Sequence, residues 1–212
     1  MNDFKSLVHI REDSVDGISG WMWPRQDEGL WDGPKMNWET KFRDMYIQHR
    51  PGKRVVVQAG GGCGMYPRLL SNHFDVVYTF EPYALNFHCL VNNCQKRNII
   101  KYNAALGDAP ELVDVSVQSM SNLGMNVVDI DPLGIIPQMR IDDLPLHACD
   151  MILLDIEGYE FKALKGALKT IEKFKPLVVL ESARNEHLEL LQTYGYSVVG
   201  HEYADTFYVS KV

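Results

Sequence analysis

No stretch of about 18 successive apolar residues occurs, so no membrane-spanning helix is expected. The first residues, Met1 to Lys5, lack a basic patch leading into an apolar run, so no secretory leader is expected either. Cysteine is scarce: Cys63, Cys89, Cys94 and Cys149 form no C-x-x-C pair, and nothing completes a zinc set beside Cys89 and Cys94. The seven histidines show no H-x-x-x-H spacing. Sparse, unpatterned cysteine fits free thiols in a reducing compartment, which makes the cytoplasm the expected location. Basic charge is in deficit, with 21 Lys and Arg against 28 Asp and Glu and a net charge of -7. That balance argues against nucleic acid as the partner, since non-specific phosphate binding needs an excess of cations. Internal repeats and low-complexity tracts are absent.

What is present is an ordinary globular composition, 46% hydrophobic and 23% charged, over 212 residues. The chain divides near Pro51-Gly52. Residues 1–50 read as an irregular extension holding all four tryptophans, Trp21, Trp23, Trp31 and Trp38. Their faces suit stacking on a sugar or flat substrate, or packing on the domain or on a second copy of the chain, which leaves a homo-oligomer open. Residues 51–212 alternate apolar runs with helical periodicity. Strands are expected at 54–58, 76–80, 99–106, 112–117, 151–154 and 177–180, with a closing pair at 196–199 and 207–209. Helices are expected at 64–70, 83–95, 161–171 and 186–194. This order predicts an α/β, doubly wound, mostly parallel sheet with one antiparallel strand near the C-terminus.

Between the first such strand and helix stands Gln58-Ala59-Gly60-Gly61-Gly62-Cys63-Gly64. Ligands of doubly wound folds sit at strand carboxyl ends, and glycines there let backbone and ligand approach closely. The spacing is neither G-x-G-x-x-G nor a Walker A loop, which argues against a nicotinamide-dependent or P-loop enzyme. In Phe80-Glu81-Pro82, Glu81 ends the second strand, where an acid can accept hydrogen bonds from a ribose. Asn103-Ala104-Ala105-Leu106-Gly107-Asp108 leaves room for a flat ring, with Asn103 or Asp108 placed to bond its edge. A simple turn accounts for that stretch equally well. Asp155, Glu157 and Glu160 follow the apolar run 151–154, and Glu181 ends the next. Asp155, Glu157 and Glu181 are expected in one acidic pocket, able to orient a hydroxyl or raise one another's pKa, while Glu160 suits capping of the following helix. A cation is a further use of such a cluster, but the short spacing suits hydrogen bonding, and no metal is expected. Residues 120–126 read either as a border of the pocket or as an ordinary connection.

Taken in order, these motifs resemble the FkbM family of S-adenosylmethionine (SAM)-dependent methyltransferases, from about Val55 to Glu181. The family's D-x-G-A-N-x-G-x-Y is similar to residues 58–66, and its N-A-A-L-G-D matches residues 103–108. Its L-D-x-L is similar to residues 141–144, and its D-x-E-G-x-E and L-K-G-A match residues 155–160 and 164–167. The resemblance implies a Rossmann-like class I methyltransferase fold with SAM as cofactor and a small-molecule or carbohydrate hydroxyl as methyl acceptor. It places Gln58, Ala59, Gly60, Gly62, Gly64, Glu81, Pro82, Asn103, Ala104 and Asp155 around the cofactor. Asp155, Glu157 and Glu181 are placed as the catalytic group. Two departures stand out: Gln58 replaces the usual first-strand acid, and Gly62 replaces the usual Asn. The uncharged Gln58 implies weaker cofactor affinity, or a binding protein that keeps the fold without catalysis.

Overall fold

A computed structural model describes residues 4–11, 20–28, 49, 52–131 and 133–211. Trp31 and Trp38 lie outside the described residues. The main sheet has seven strands: β3 (Val55–Ala59), β4 (Val76–Phe80), β5 (Ile99–Tyr102), β10 (Met151–Leu154), β11 (Leu177–Glu181), β12 (Tyr196–Glu202) and β13 (Asp205–Ser210). Their order is β12-β13-β11-β10-β3-β4-β5. The five strands from β11 to β5 run parallel, and β13 is antiparallel to both its neighbours. Successive side chains of a strand point to opposite faces, and each face here is buried. Val55, Val57, Ile152, Leu154, Val178 and Leu180 enter one core with Leu164, Ile171 and Leu191. Val56, Met151, Leu153, Leu177 and Val179 enter the other with Leu70 and Leu90. The covering helices are α1 (Met65–Leu70) and α2 (Ala84–Asn93) on the second face, and α3 (Glu160–Lys165), α4 (Leu168–Phe174) and α5 (Asn185–Thr193) on the first. None of the described helices is long and apolar enough to cross a membrane.

Two expected elements are each divided. The strand predicted over 99–106 leaves the main sheet after Tyr102, and β6 (Ala105–Leu106) joins a second sheet. Exposed Asn103 makes the corner, its Nδ2 donating to the carbonyls of Glu81 and Pro82 at 2.9 Å each. The helix predicted over 161–171 becomes α3 and α4, because Asp142 docks at the break. Its N–H donates to the Gly166 carbonyl (2.9 Å), and its carboxylate accepts the N–H groups of Lys169 and Thr170. A carboxylate on exposed N–H groups is how a new helix is started. The second sheet, order β6-β9-β7-β8, adds β7 (Leu112–Ser116), β8 (Val127–Ile130) and β9 (Ile136–Met139). In the N-terminal segment β1 (Val8–Arg11) and β2 (Trp21–Pro24) form an antiparallel hairpin, where the sequence suggested irregular chain.

Candidate active site

A cleft of about 210 Å³ opens at the carboxyl ends of β3, β4, β10 and β11. Its floor is the glycine loop after β3. Gly60 has φ +83°, and a Cβ there would overlap the Asp155 carbonyl oxygen, so β3 and β10 meet this closely only through glycine. Gly62 has φ +50° with open space where its Cβ would stand. Asn also adopts this left-handed conformation, which explains why Gly serves where the family has Asn.

Glu81 organises the loop from β4. It is 6% exposed, and its two oxygens accept the N–H groups of Gly62 and Tyr83, each at 2.8 Å. Burial pushes its carboxyl up to about 7, against the lowering pull of those two bonds. Each oxygen keeps a second lone pair for a ligand donor. Asn93, at the end of α2, ties the loop to the hairpin. Its side chain exchanges two 2.8 Å bonds with the backbone of Met22 and donates to the Cys63 carbonyl at 2.7 Å. That clamp holds buried Trp23 in the cleft wall.

Asp155, Glu157 and Glu181 come together in the same cleft, with one carboxylate oxygen from each lying within 4.8 Å of the others. Carboxylates this close can hold a proton in common or ligate a hard cation. Burial raises the Asp155 carboxyl well above the usual range, helped by its hydrogen bond and repulsion with Glu181. Desolvation and then the charges of Glu181 and Glu160 raise Glu157. Glu157 also holds φ +51° without being glycine, a conformation that costs about 1–2 kcal/mol. Glu160 takes no part: it is buried, and its Oε1 accepts the N–H groups of Ile156 and Gly158, fixing the acidic turn.

Other residues singled out from the sequence lie elsewhere. Gln58 is fully buried inside the sheet, its Oε1 accepting the Thr79 hydroxyl (2.6 Å) and its Nε2 donating to Ala59 O (3.0 Å). It does not line the cleft; nor do Gly64, which opens α1, or Asn103. Ala59 and Ala104 border a second, smaller cavity that shares Pro82, Val128 and Ile156 with the cleft. Asp108 is paired with Lys165 at 2.5 Å, which lowers its pKa. The loop before β8 does border the cleft, from Asn122 to Asn126. Asn86, from the first turn of α2, was not apparent as a site residue. It is 2% exposed and lines the cleft; its Nδ2 donates to Leu123 O, and its Oδ1 has no partner. A polar residue at a helical spacing that should face the core was the available signal.

Comparison with known proteins agrees with this architecture. Residues 134–198 match the model of the methyltransferase FkbM domain. No curated protein matches the chain. Among solved structures, methyltransferase FkbM from Methylobacillus flagellatus KT is similar at 20% identity and TM-score 0.53, over 74% of this chain and 43% of that one. The precorrin-6y C5,15-methyltransferase of Geobacter metallireducens GS-15 has 16% identity and TM-score 0.49, over 80% and 86%. The magnesium protoporphyrin IX methyltransferase of Synechocystis PCC 6803, with bound SAM, has 9% identity and TM-score 0.49, over 89% and 87%. This chain thus spans less than half of the Methylobacillus protein. The likeness to the Methylobacillus methyltransferase is one of fold.

Proposed function

We propose that this chain, whose resemblance to FkbM methyltransferases rests on its motif order and on the match over residues 134–198, transfers a methyl group from SAM to a hydroxyl of a small molecule or carbohydrate. The observation that carries the reading is one cleft lined by both the Glu81-held glycine loop and the acids Asp155, Glu157 and Glu181. The residues fit the cofactor: Gly62 leaves open space beside the loop, and Glu81 keeps acceptor capacity for ribose hydroxyls. SAM supplies a methyl group on a sulfonium, already a good electrophile, so the protein's work is alignment. Glu157, raised in pKa and at the cleft edge, takes the acceptor's hydroxyl proton as the oxygen gains the methyl group. Asp155 and Glu181 share a hydrogen bond and orient that hydroxyl.

On this reading residues 51–212 form the SAM-binding unit. Trp23, from strand β2 of the N-terminal hairpin, walls the cleft where the acceptor would enter. The enzyme works in the cytoplasm without a metal, alone or as a homo-oligomer. Calorimetric titration with SAM and S-adenosylhomocysteine tests the cofactor, and both are expected to bind. Binding of neither would leave a protein that keeps the fold without its chemistry. Labelled methyl transfer to matched hydroxyl, amine and carbon acceptors tests the nucleophile; transfer to amine or carbon alone rejects the hydroxyl assignment.

A further inference from the structure

Asn126 stands just before β8 in extended conformation (φ -67°, ψ 134°). Two residues ahead of Val128, it shares that residue's face of the strand, and both line the cleft. Val128, Pro82 and Ile156 also line the smaller cavity beside Ala104. These three apolar groups therefore stand where the two cavities meet, a seat suited to a planar ring. Beside it the Asn126 amide is buried, and neither its Oδ1 nor its Nδ2 has a hydrogen-bond partner. An unpaired buried polar group is costly, and native interiors rarely leave one so.

A carboxamide presents an acceptor and a donor side by side. That pattern complements the amino group and adjacent ring nitrogen of adenine, which Asn reads in a bidentate manner. Asp108 and Asn103, which the sequence offered for this edge, are otherwise engaged: Asp108 with Lys165, Asn103 with the Glu81 and Pro82 carbonyls. We propose that Asn126 reads the amino edge of the cofactor's adenine and so selects adenosyl over other purine cofactors. The assignment rests on the SAM reading above.

The test is calorimetry with S-adenosylhomocysteine and with its purine-riboside analogue, in which hydrogen replaces the amino group. Wild-type protein is expected to bind the analogue about fivefold to tenfold weaker, the upper range for one lost hydrogen bond, since the ring nitrogen still accepts from the amide. In Asn126→Leu the ratio is expected to shrink to about twofold or less, because the reading group is gone. Removing an unpaired buried amide is also expected to leave the ligand-free thermal midpoint at or above wild type. Should the Leu variant fail to fold, Asn126→Ala carries the same comparison of two ligands. An unchanged ratio in the variant, or equal binding of both ligands by wild type, overturns this inference while SAM binding stands. Failure of wild type to bind S-adenosylhomocysteine removes both readings.

Discussion

Oε2 of Glu81 accepts the Gly62 N–H at 2.8 Å, so the acid that ends β4 fixes the glycine loop that ends β3. The same carboxylate is the expected partner of the ribose, and its pKa is raised to about 7 by burial. Only the ionised form can keep both backbone bonds and accept two ribose hydroxyls; protonation puts a hydrogen where a donor must approach. Affinity for S-adenosylhomocysteine is therefore expected to fall as pH drops through about 7. Glu81→Ala should weaken binding by about 1.5–3 kcal/mol and flatten that pH dependence, both read by calorimetry.

Ligand-free stability should respond to the same group with the opposite sense. The folded pKa lies above the ordinary glutamate value, so the folded state holds a proton that the unfolded state has released. The contribution is fully present below about 4.5 and is lost as pH rises to about 7. Urea unfolding across that range is expected to show a falling component in wild type that Glu81→Ala lacks.

The two flexible glycines of the loop separate space from conformation. Gly60→Ala sets a Cβ against the Asp155 carbonyl and is expected to destabilise the fold by about 2 kcal/mol or more. Gly60→Val would meet the same oxygen, so at this position blocking a ligand cannot be separated from disturbing the fold. The Cβ of Gly62→Asn meets nothing within 4 Å and Asn suits φ +50°, so stability should change by about 0.5 kcal/mol or less. Denaturant unfolding of the two variants checks both outcomes.

Gln58 lies inside the sheet rather than in the cleft lining. It shares a strand face with Val56, so alternation already turns it into the core beneath α1 and α2. Its position, where the resembling motif has an acid, drew attention to the cofactor instead. Gln58→Leu is expected to leave SAM affinity within about threefold of wild type and to cost about 1–3 kcal/mol of stability, because the Thr79 hydroxyl loses its acceptor. A large loss of affinity at unchanged stability would reverse that assignment.

The parallel strands were legible because strands buried on both faces read as unbroken apolar runs, as in residues 151–154 and 177–180. The second sheet was largely not, since β6, β8 and β9 are two to four residues long and lack sustained alternation. Of the site, the glycine loop, Glu81 and the acids were legible from strand ends. The loop ending at Asn126 was legible only as one of two readings, and Asn86 was not, because its place in the lining depends on its helix packing against the Leu123 loop, a non-local fact.

The acids of β10 and β11 carry the last expectation. Glu157 sits at the cleft edge with its pKa raised by burial and by Glu181 and Glu160. As the base it must be ionised, so the acidic limb of the rate profile should lie above the ordinary glutamate range and move when Glu181 is made Gln. Glu157→Gln is expected to bind SAM nearly as wild type does yet lose about 10²–10⁴-fold in single-turnover methyl transfer. Asp155→Asn keeps a donor toward Glu181 and should lose less, because it orients the hydroxyl without taking its proton. The oxygens of Asp155, Glu157 and Glu181 lie close enough to hold a cation, so chelation separates the two chemistries. Full activity in the presence of a chelator is expected for proton transfer to Glu157. Loss of activity on chelation, restored by a divalent ion, would make the three acids ligands instead.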